Sequence, residues 1–535
     1  MKLMQICAGA ALAAMSVSGW AQTKGSPTDN ATTKSGVNFG RNQGAIFDNA
    51  PIIIPSLRRE MRAVWVATVF NIDWPTANNQ SNATQQAGVI AMLDAMVDAN
   101  MNAVFLQVRS QACALYQSTL EPWAACLRGS LGTAPNPVYD PLQFWITEAR
   151  KRGIEVYAWF NPYRALTSSS TVAPTSPVRH VSRFTPSVTD VYGSQVWIDP
   201  SSPTGSNHSR NVILDVVTRY DIDGVVFDDY FYPYPITNVA YPDSDAYAAY
   251  TGGGGQMSLA EWRRSNVDNF VQSVGQQIKA IKPEVKYGIG PFGIWQPNNP
   301  PGVAGLNAYA SLYADSRKWL QQGWVDFLAP QLYWRISAAQ QPYVDLLEWW
   351  ASPIQNPLGR NVYASNNSSN LLDNTWPASE IVNQVSETRN VVGASGNVFY
   401  SAKTIRDNTQ SLRTLLKANL YAQPSLIPPH PWIDSVAPSQ ITTTYTYSRV
   451  SGTHAFFWTH PDGVAPAIYV TAALIGNNWT FQVHPSTKLN MVYAAKNSGN
   501  ALRVFGVAAM DRSGNLSPWR QLVLDPSAVS NFGRD

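Results

Sequence analysis

Two adjacent carboxylates close the stretch Asp223-Gly-Val-Val-Phe-Asp228-Asp229-Tyr230-Phe231-Tyr232-Pro233. Val225 to Phe227 is a short apolar run of strand type, and the acids stand just past its end. A strand that delivers acids at its C-terminal end is how a parallel β/α barrel builds an active site. The aromatic residues that follow suit a flat, partly apolar ligand such as a sugar. Glycoside hydrolysis commonly uses two carboxyl groups: one protonates the leaving oxygen, and the other attacks the sugar or activates water. Neighbours on a strand point to opposite sides, so the spacing predicts that only one of Asp228 and Asp229 faces the scissile bond. The partner acid must then come from another loop. Glu121, in Ser118-Thr-Leu-Glu121-Pro-Trp123, is the expected general acid, because apolar surroundings raise a carboxyl pKa. Its structural alternative is an ion pair with Arg128. Asp73, in Asn71-Ile-Asp73-Trp74-Pro75, is expected to contact substrate.

Other residues that follow apolar runs are suited to holding hydroxyl groups. They are Asn71, Gln107, Arg109, Asn161, Tyr163, Arg164, Tyr230, Gln331, Tyr333 and Trp334. Arg109 and Arg164 either bind a substrate carboxylate or fix the active acids by bidentate pairing. Trp74, Trp123, Trp295 and Trp334 are candidates for stacking on sugar rings, whereas Trp159, inside a strand run, is expected to pack. Metal chemistry is not expected. The barrel region holds only His180 and His208, neither at a strand end, and metal-dependent barrel hydrolases need several histidines there. There is no G-x-S-x-G elbow, and Gly252–Gly255 lacks the lysine of a phosphate loop. No cofactor is expected either.

Strand and helix patterns alternate strictly along the chain. Strand runs fall at 62–70, 103–108, 154–160, 224–227, 286–290, 327–329, 361–364 and 396–400. Helical periodicity falls at 84–99, 141–152, 207–219, 259–281, 309–322, 342–350, 378–391 and 405–420. Such βα alternation predicts an α/β TIM (β/α)8 barrel, here over 51–425. Helix-to-strand connections are short and several strand-to-helix connections are long, which puts the long loops on one face. Prolines punctuate the chain from Pro424 to Pro438. Polar and apolar positions then alternate, as in Ile441–Tyr447 and Leu502–Val507. Residues 426–535 are therefore expected to be a proline-rich linker and a small β-sandwich. Val507–Pro518 resembles the last hairpin of fibronectin type III domains, modules that bind, space or dock.

Charged residues make up 14% and the net charge is +3, which argues against nucleic acid as a partner. Lys2, the apolar stretch Leu3–Val17 and the small residues Gly19 and Ala21 read as a signal peptide, 1–21. No other stretch is apolar enough to span a bilayer. Residues 22–50 read as a flexible linker. Cleavage would remove Cys7 and leave Cys113 and Cys126, which in a secreted chain are expected to form a disulfide.

Several motifs together resemble the bacterial glycosyl-hydrolase-like family ten. They are Glu60-Met-Arg-Ala-Val-Trp65 through Asn71-Ile-Asp73-Trp74-Pro75, Leu106-Gln-Val-Arg109, Glu121-Pro-Trp123, Ala158-Trp-Phe-Asn161-Pro-Tyr163-Arg164, the Asp228-Asp229 motif, Gly290-Pro-Phe-Gly293-Ile-Trp295 and Ala329-Pro-Gln331-Leu-Tyr333-Trp334. The resemblance covers about 58–400. It implies a TIM barrel with glycosidase activity on bacterial cell-wall glycan, notably strands stripped of their peptides; the signal peptide puts the mature chain in the periplasm or outside the cell. It also implies catalytic carboxylates at Asp228 and Asp229. The chain departs from the common family pattern at Cys113 and Gln296. Another polysaccharide substrate, or a non-catalytic glycan-binding role with docking through the C-terminal module, are the alternatives.

Overall fold

The structure, a computed structural model, describes residues 46–47, 52–463 and 465–524. The expected signal peptide and nearly all of the expected linker lie outside those residues. Eight strands close into a barrel with parallel neighbours throughout: β1 (Met61–Val66), β2 (Ala103–Arg109), β3 (Glu155–Phe160), β4 (Gly224–Phe227), β5 (Lys286–Ile289), β6 (Phe327–Leu328), β7 (Asn361–Asn367) and β8 (Ala394–Tyr400). Gly396 of β8 pairs with Met61 of β1 and completes the ring. Helices follow each strand, as the periodicity requires. The helix Asn82–Asp98 turns Val89, Met92, Leu93 and Met96 inward and is capped by Ser81, while Leu259–Ile281 begins with a Ser258/Glu261 capping box.

The barrel interior is filled largely by aromatic rings. Trp65, Phe105, Tyr157, Trp159, Phe327 and Tyr363 form one cluster with Val226 and Val398. Two glycines make room for them. A Cβ on Gly224 would lie 2.2 Å from Tyr157, and one on Gly288 would lie 2.3 Å from Phe327. Below the rings, Lys286 and Glu155 form a buried ion pair at 2.8 Å.

Two expected helices are broken. The pattern over 309–322 becomes Ala308–Ser311 and Ser316–Gln321, because Tyr313 takes a left-handed backbone and Asp315 caps the second piece. The pattern over 405–420 is interrupted at Asn408, Gln410 and Ser411, all with positive φ. There the Gln410 side chain accepts from Ala378 N at 3.0 Å and donates to the Trp376 carbonyl at 3.0 Å. A tertiary plug has overridden local propensity.

The C-terminal region holds two antiparallel sheets. Thr442–Ser448, Thr453–Thr459 and Asn490–Ala494 form one. The other is built mainly on Ile468–Ile475, Asn478–Pro485, Asn500–Met510 and Arg520–Val523. Their shared core includes Phe456 stacked on Phe505 at 3.9 Å. Ile46–Phe47, inside the expected linker, pairs with Arg520–Val523. The proline-rich segment is not a loose tether. His430 is fully buried, Trp432 donates to Asp326 Oδ1 at 2.8 Å, and Asn361 donates to the Pro429 carbonyl at 3.2 Å. The segment therefore packs under the N-terminal ends of β6 and β7, opposite the acids.

The expected disulfide is absent: Cys113 and Cys126 are both free and buried. Cys113 lies 3.7 Å from Ser110 Oγ, and burial pushes both thiols up. The secretory context that suggested pairing carries no information on where the two side chains point.

Candidate active site

A cavity of about 270 Å³ opens at the C-terminal ends of the barrel strands. Trp65 from β1 and Trp159 from β3 form its floor, their rings edge to face at 5.0 Å. Asp228, Asp229 and Tyr230 enter from the end of β4. Gln107, Arg164, Tyr234, Gln331, Tyr333 and Tyr400 also line it. Tyr333 stacks on Tyr400 at 5.9 Å. Val69, Phe70 and Ile72 line the rim. Phe70 is 74% exposed and sits at φ 54°. The run expected as strand through Phe70 stops at Val66 and turns into a 3-10 segment, Val69–Asn71, which is what brings these apolar residues to the cavity.

Both acids face this cavity, contrary to the alternation expected of them. Strand β4 ends at Phe227, so the pleat no longer dictates where residues 228 and 229 point. Asp228 is gripped on one oxygen only. Its Oδ2 accepts from Trp159 Nε1 at 3.0 Å and from Asn161 Nδ2, while its Oδ1 has no protein partner. Asn161 is itself fixed, for its Oδ1 accepts from Gln107 Nε2 at 3.1 Å and from Arg164 Nη2. Gln107 Oε1 in turn accepts from the backbone N–H of Thr68 at 3.0 Å and of Val69 at 2.9 Å. A relay across three strands thus aims one carboxyl. Burial, then the neighbouring Asp229 charge, push Asp228 up to about 7, against the pull of Arg164 and its two N–H donors. Burial also raises Asp229, opposed by Tyr234, whose hydroxyl donates to Oδ2, and by Gln331.

Glu121 is not the expected partner acid. Its side chain is fully buried away from the cavity, bound twice by Arg109 Nε (3.0 and 2.9 Å), once by Arg109 Nη2 (2.5 Å), and by His208 Nε2 (3.0 Å). Burial alone would raise it, but Arg109 and His208 overcome burial and hold it at about 2. A proton donor near neutral pH it is not. Arg109 is spent on Glu121 and on the carbonyls of Asn161 and Pro162, so it cannot reach a ligand. The ion pair foreseen for Glu121 exists, with Arg109 in place of Arg128.

Other expected substrate contacts also turn out to support the frame. Asp73 accepts from Ala67 N at 2.8 Å and from Lys403 N at 2.9 Å, tying β1 to the helix after β8. Asn71 donates to the carbonyls of Pro75 and Cys126. Trp74 is buried against Trp145 with its N–H on Gln85 O. Tyr163 is buried against Phe270. Trp295 donates to Asp315 and stacks on Trp349, and Trp334 packs edge-on to Phe292; neither lines the cavity. The cavity does take Asp228, Asp229, Gln107, Arg164, Tyr230, Gln331 and Tyr333, with Asn161 directly behind Asp228. Trp65, Trp159, Tyr234 and Tyr400 were missed. For Tyr400 the signal was present, since it ends the eighth strand run as Tyr333 follows the sixth.

A profile of the family described as glycosyl hydrolase-like 10 matches residues 60–368. The chain belongs to this family. Glycosyl hydrolase YngK of Bacillus subtilis (strain 168) is 37% identical over 414 residues, 75% of this chain and 80% of that protein. Glycosyl hydrolase DigH of Escherichia coli (strain K12) is 38% identical over 318 residues, 55% and 70% of the two chains. Among solved structures, the PgaB (BpsB) glycoside hydrolase domain from Bordetella bronchiseptica aligns with a TM-score of 0.44 and 15% identity, over 67% of this chain and 98% of that one. For a glycosyl hydrolase-like 10 barrel, the paired acids over an aromatic floor are the group of residues suited to glycosidic chemistry.

Proposed function

We propose that the protein is a secreted glycoside hydrolase that cuts the glycan strands of bacterial peptidoglycan after their peptides have been removed, with Asp228 as the general acid. One observation carries the assignment. Asp228 is a buried carboxyl with one oxygen clamped by two N–H donors, the other free to hold a proton, and a pKa near 7. That is the poise a proton donor needs at neutral pH. Family membership supports the reaction class. The cavity also supports an uncharged sugar. Among the described residues lining it, Arg164 is the one cation, beside two carboxylates, and that arginine is already bonded to Asn161 and to the Ser110 carbonyl. The uncharged N-acetylglucosamine residues of such strands, rather than the residues whose lactyl carboxylate the stripping frees, suit the subsite beside these acids. Secretion rests on the leader read at 1–21, and the C-terminal sheets serve as an accessory module.

The test is to incubate the full chain with peptide-stripped glycan strands and follow new reducing ends. Asp228→Asn should release them at least about 100-fold more slowly. Equal rates from the variant would remove Asp228 from the chemistry.

A further inference from the structure

We propose that the nucleophile is supplied by the substrate: the 2-acetamido oxygen of an N-acetylated sugar attacks its own C1, with Asp228 protonating the leaving oxygen and Asp229 receiving the acetamido N–H. This rests on the glycoside-hydrolase reading above and names the substrate class more closely.

Both familiar routes place carboxyl groups on opposite faces of the sugar, one to protonate the leaving group and one to attack C1 or deprotonate water. Among the described residues lining this cavity, Asp228 and Asp229 are the two carboxylates. They are consecutive, with Cα atoms about 3.8 Å apart, and both enter from the end of β4. The rest of the lining, including Trp65, Val69, Phe70 and Tyr400, carries no carboxylate. None of these can attack a sugar or take a proton from water near neutral pH. Glu121, the one acid expected to fill that role, is locked under Arg109 and His208. Tyr234 is no substitute, because its hydroxyl donates to Asp229 and its pKa is pushed well up.

Two adjacent carboxyls of unlike protonation fit one side of an N-acetylated sugar. Asp228 carries its proton on Oδ1, since Oδ2 is held by Trp159 and Asn161. Asp229 is the proton acceptor of the pair: burial raises it, but the Tyr234 hydroxyl that donates to its Oδ2, and Gln331, favour its ionised form. In the first step the acetamido oxygen bonds to C1 as the glycosidic C1–O bond breaks. The electron pair of that bond takes the Asp228 proton, and the amide proton passes to Asp229, leaving a neutral oxazoline. In the second step water bonds to C1 and gives a proton to Asp228, while the C1–acetamido oxygen bond breaks and nitrogen recovers its proton from Asp229. Both acids return to their starting states, and the anomeric configuration is retained.

The experiment pairs binding with turnover on the full chain. N-acetylglucosamine thiazoline, a stable mimic of the oxazoline, should bind at least about 100-fold tighter than N-acetylglucosamine, as analogues of a high-energy species do, and Asp229→Asn should lose most of that difference. Chemically de-N-acetylated strands should be cut at least about 100-fold more slowly than N-acetylated ones, and the first-formed anomer should be retained. Strands cut without regard to N-acetylation, an inverted product, or a thiazoline that binds no better than the sugar would each overturn the inference while leaving glycan hydrolysis standing. Tight thiazoline binding without cleavage of any strand would support the inference about the site and sink the peptidoglycan reading.

Discussion

Asp228 and Glu121 are both buried acids, and their neighbours send them in opposite directions. Asp228 rises from 3.8 to about 7, because it is buried beside another carboxylate. Folding therefore favours its protonated form. The stability this contributes is full below about pH 4 and is lost as pH rises through 7. Asp228→Asn removes that penalty. The variant should gain stability over the wild type by about 2–3 kcal/mol more at about pH 8 than at about pH 5, read from urea midpoints at the two values. The wild type should also lose turnover as pH climbs past about 7, where the acid is ionised. Glu121 falls from 4.5 to about 2. Its contribution is full above about 4.5 and is lost as pH falls through 2. Glu121→Gln strands the buried Arg109 charge and should cost about 3–5 kcal/mol at neutral pH, with the pH profile of turnover unmoved. A shifted profile would mean that Glu121 takes part in proton transfer after all.

At the scale of the elements, the barrel works because two strands give up side chains where others need space. Tyr157 leans over Gly224 and Phe327 over Gly288, and these rings support the Trp65–Trp159 floor. Gly224→Ala has no room and should cost at least about 1–3 kcal/mol by overpacking, measured as a lower denaturant midpoint with unchanged slope. Turnover should fall with it, because Phe105 packs against both Tyr157 and Trp65. The short β4 has a second consequence. By ending at Phe227 it frees two successive residues from strand alternation, which lets both acids share one cavity.

For the molecule as a whole, the barrel and the C-terminal sheets are joined by buried contacts rather than by a flexible hinge. Leu426 and Ile427 pack with Ile468, Val470 and Met510, and Arg59 Nη1 donates to the Gly514 carbonyl at 2.6 Å. The region should unfold in a single calorimetric transition, and Trp432→Ala, which removes a bond to Asp326, should lower its midpoint. Two well-separated transitions in the wild type would contradict that coupling. The two buried cysteines give a further check. Neither should react with a thiol reagent in the native protein, and both should react once it is denatured.

The eight βα units, the C-terminal sheets and the acids at the end of β4 were legible in the sequence. They depend on local signals: apolar periodicity, caps, and polar residues placed just after a buried run. Gln107, Arg164, Gln331 and Tyr333 were found at the cavity by the same rule. The rule failed for Arg109, Asp73 and Tyr163, which satisfy it equally well but are consumed by partners inside the frame. It failed for Glu121 because His208, its second partner, stands 87 positions away. Whether a carboxyl keeps its proton depends on the charges and donors that other strands bring within about 3 Å, and on how much water they exclude. Those are properties of the closed barrel, and only the tertiary structure decides them.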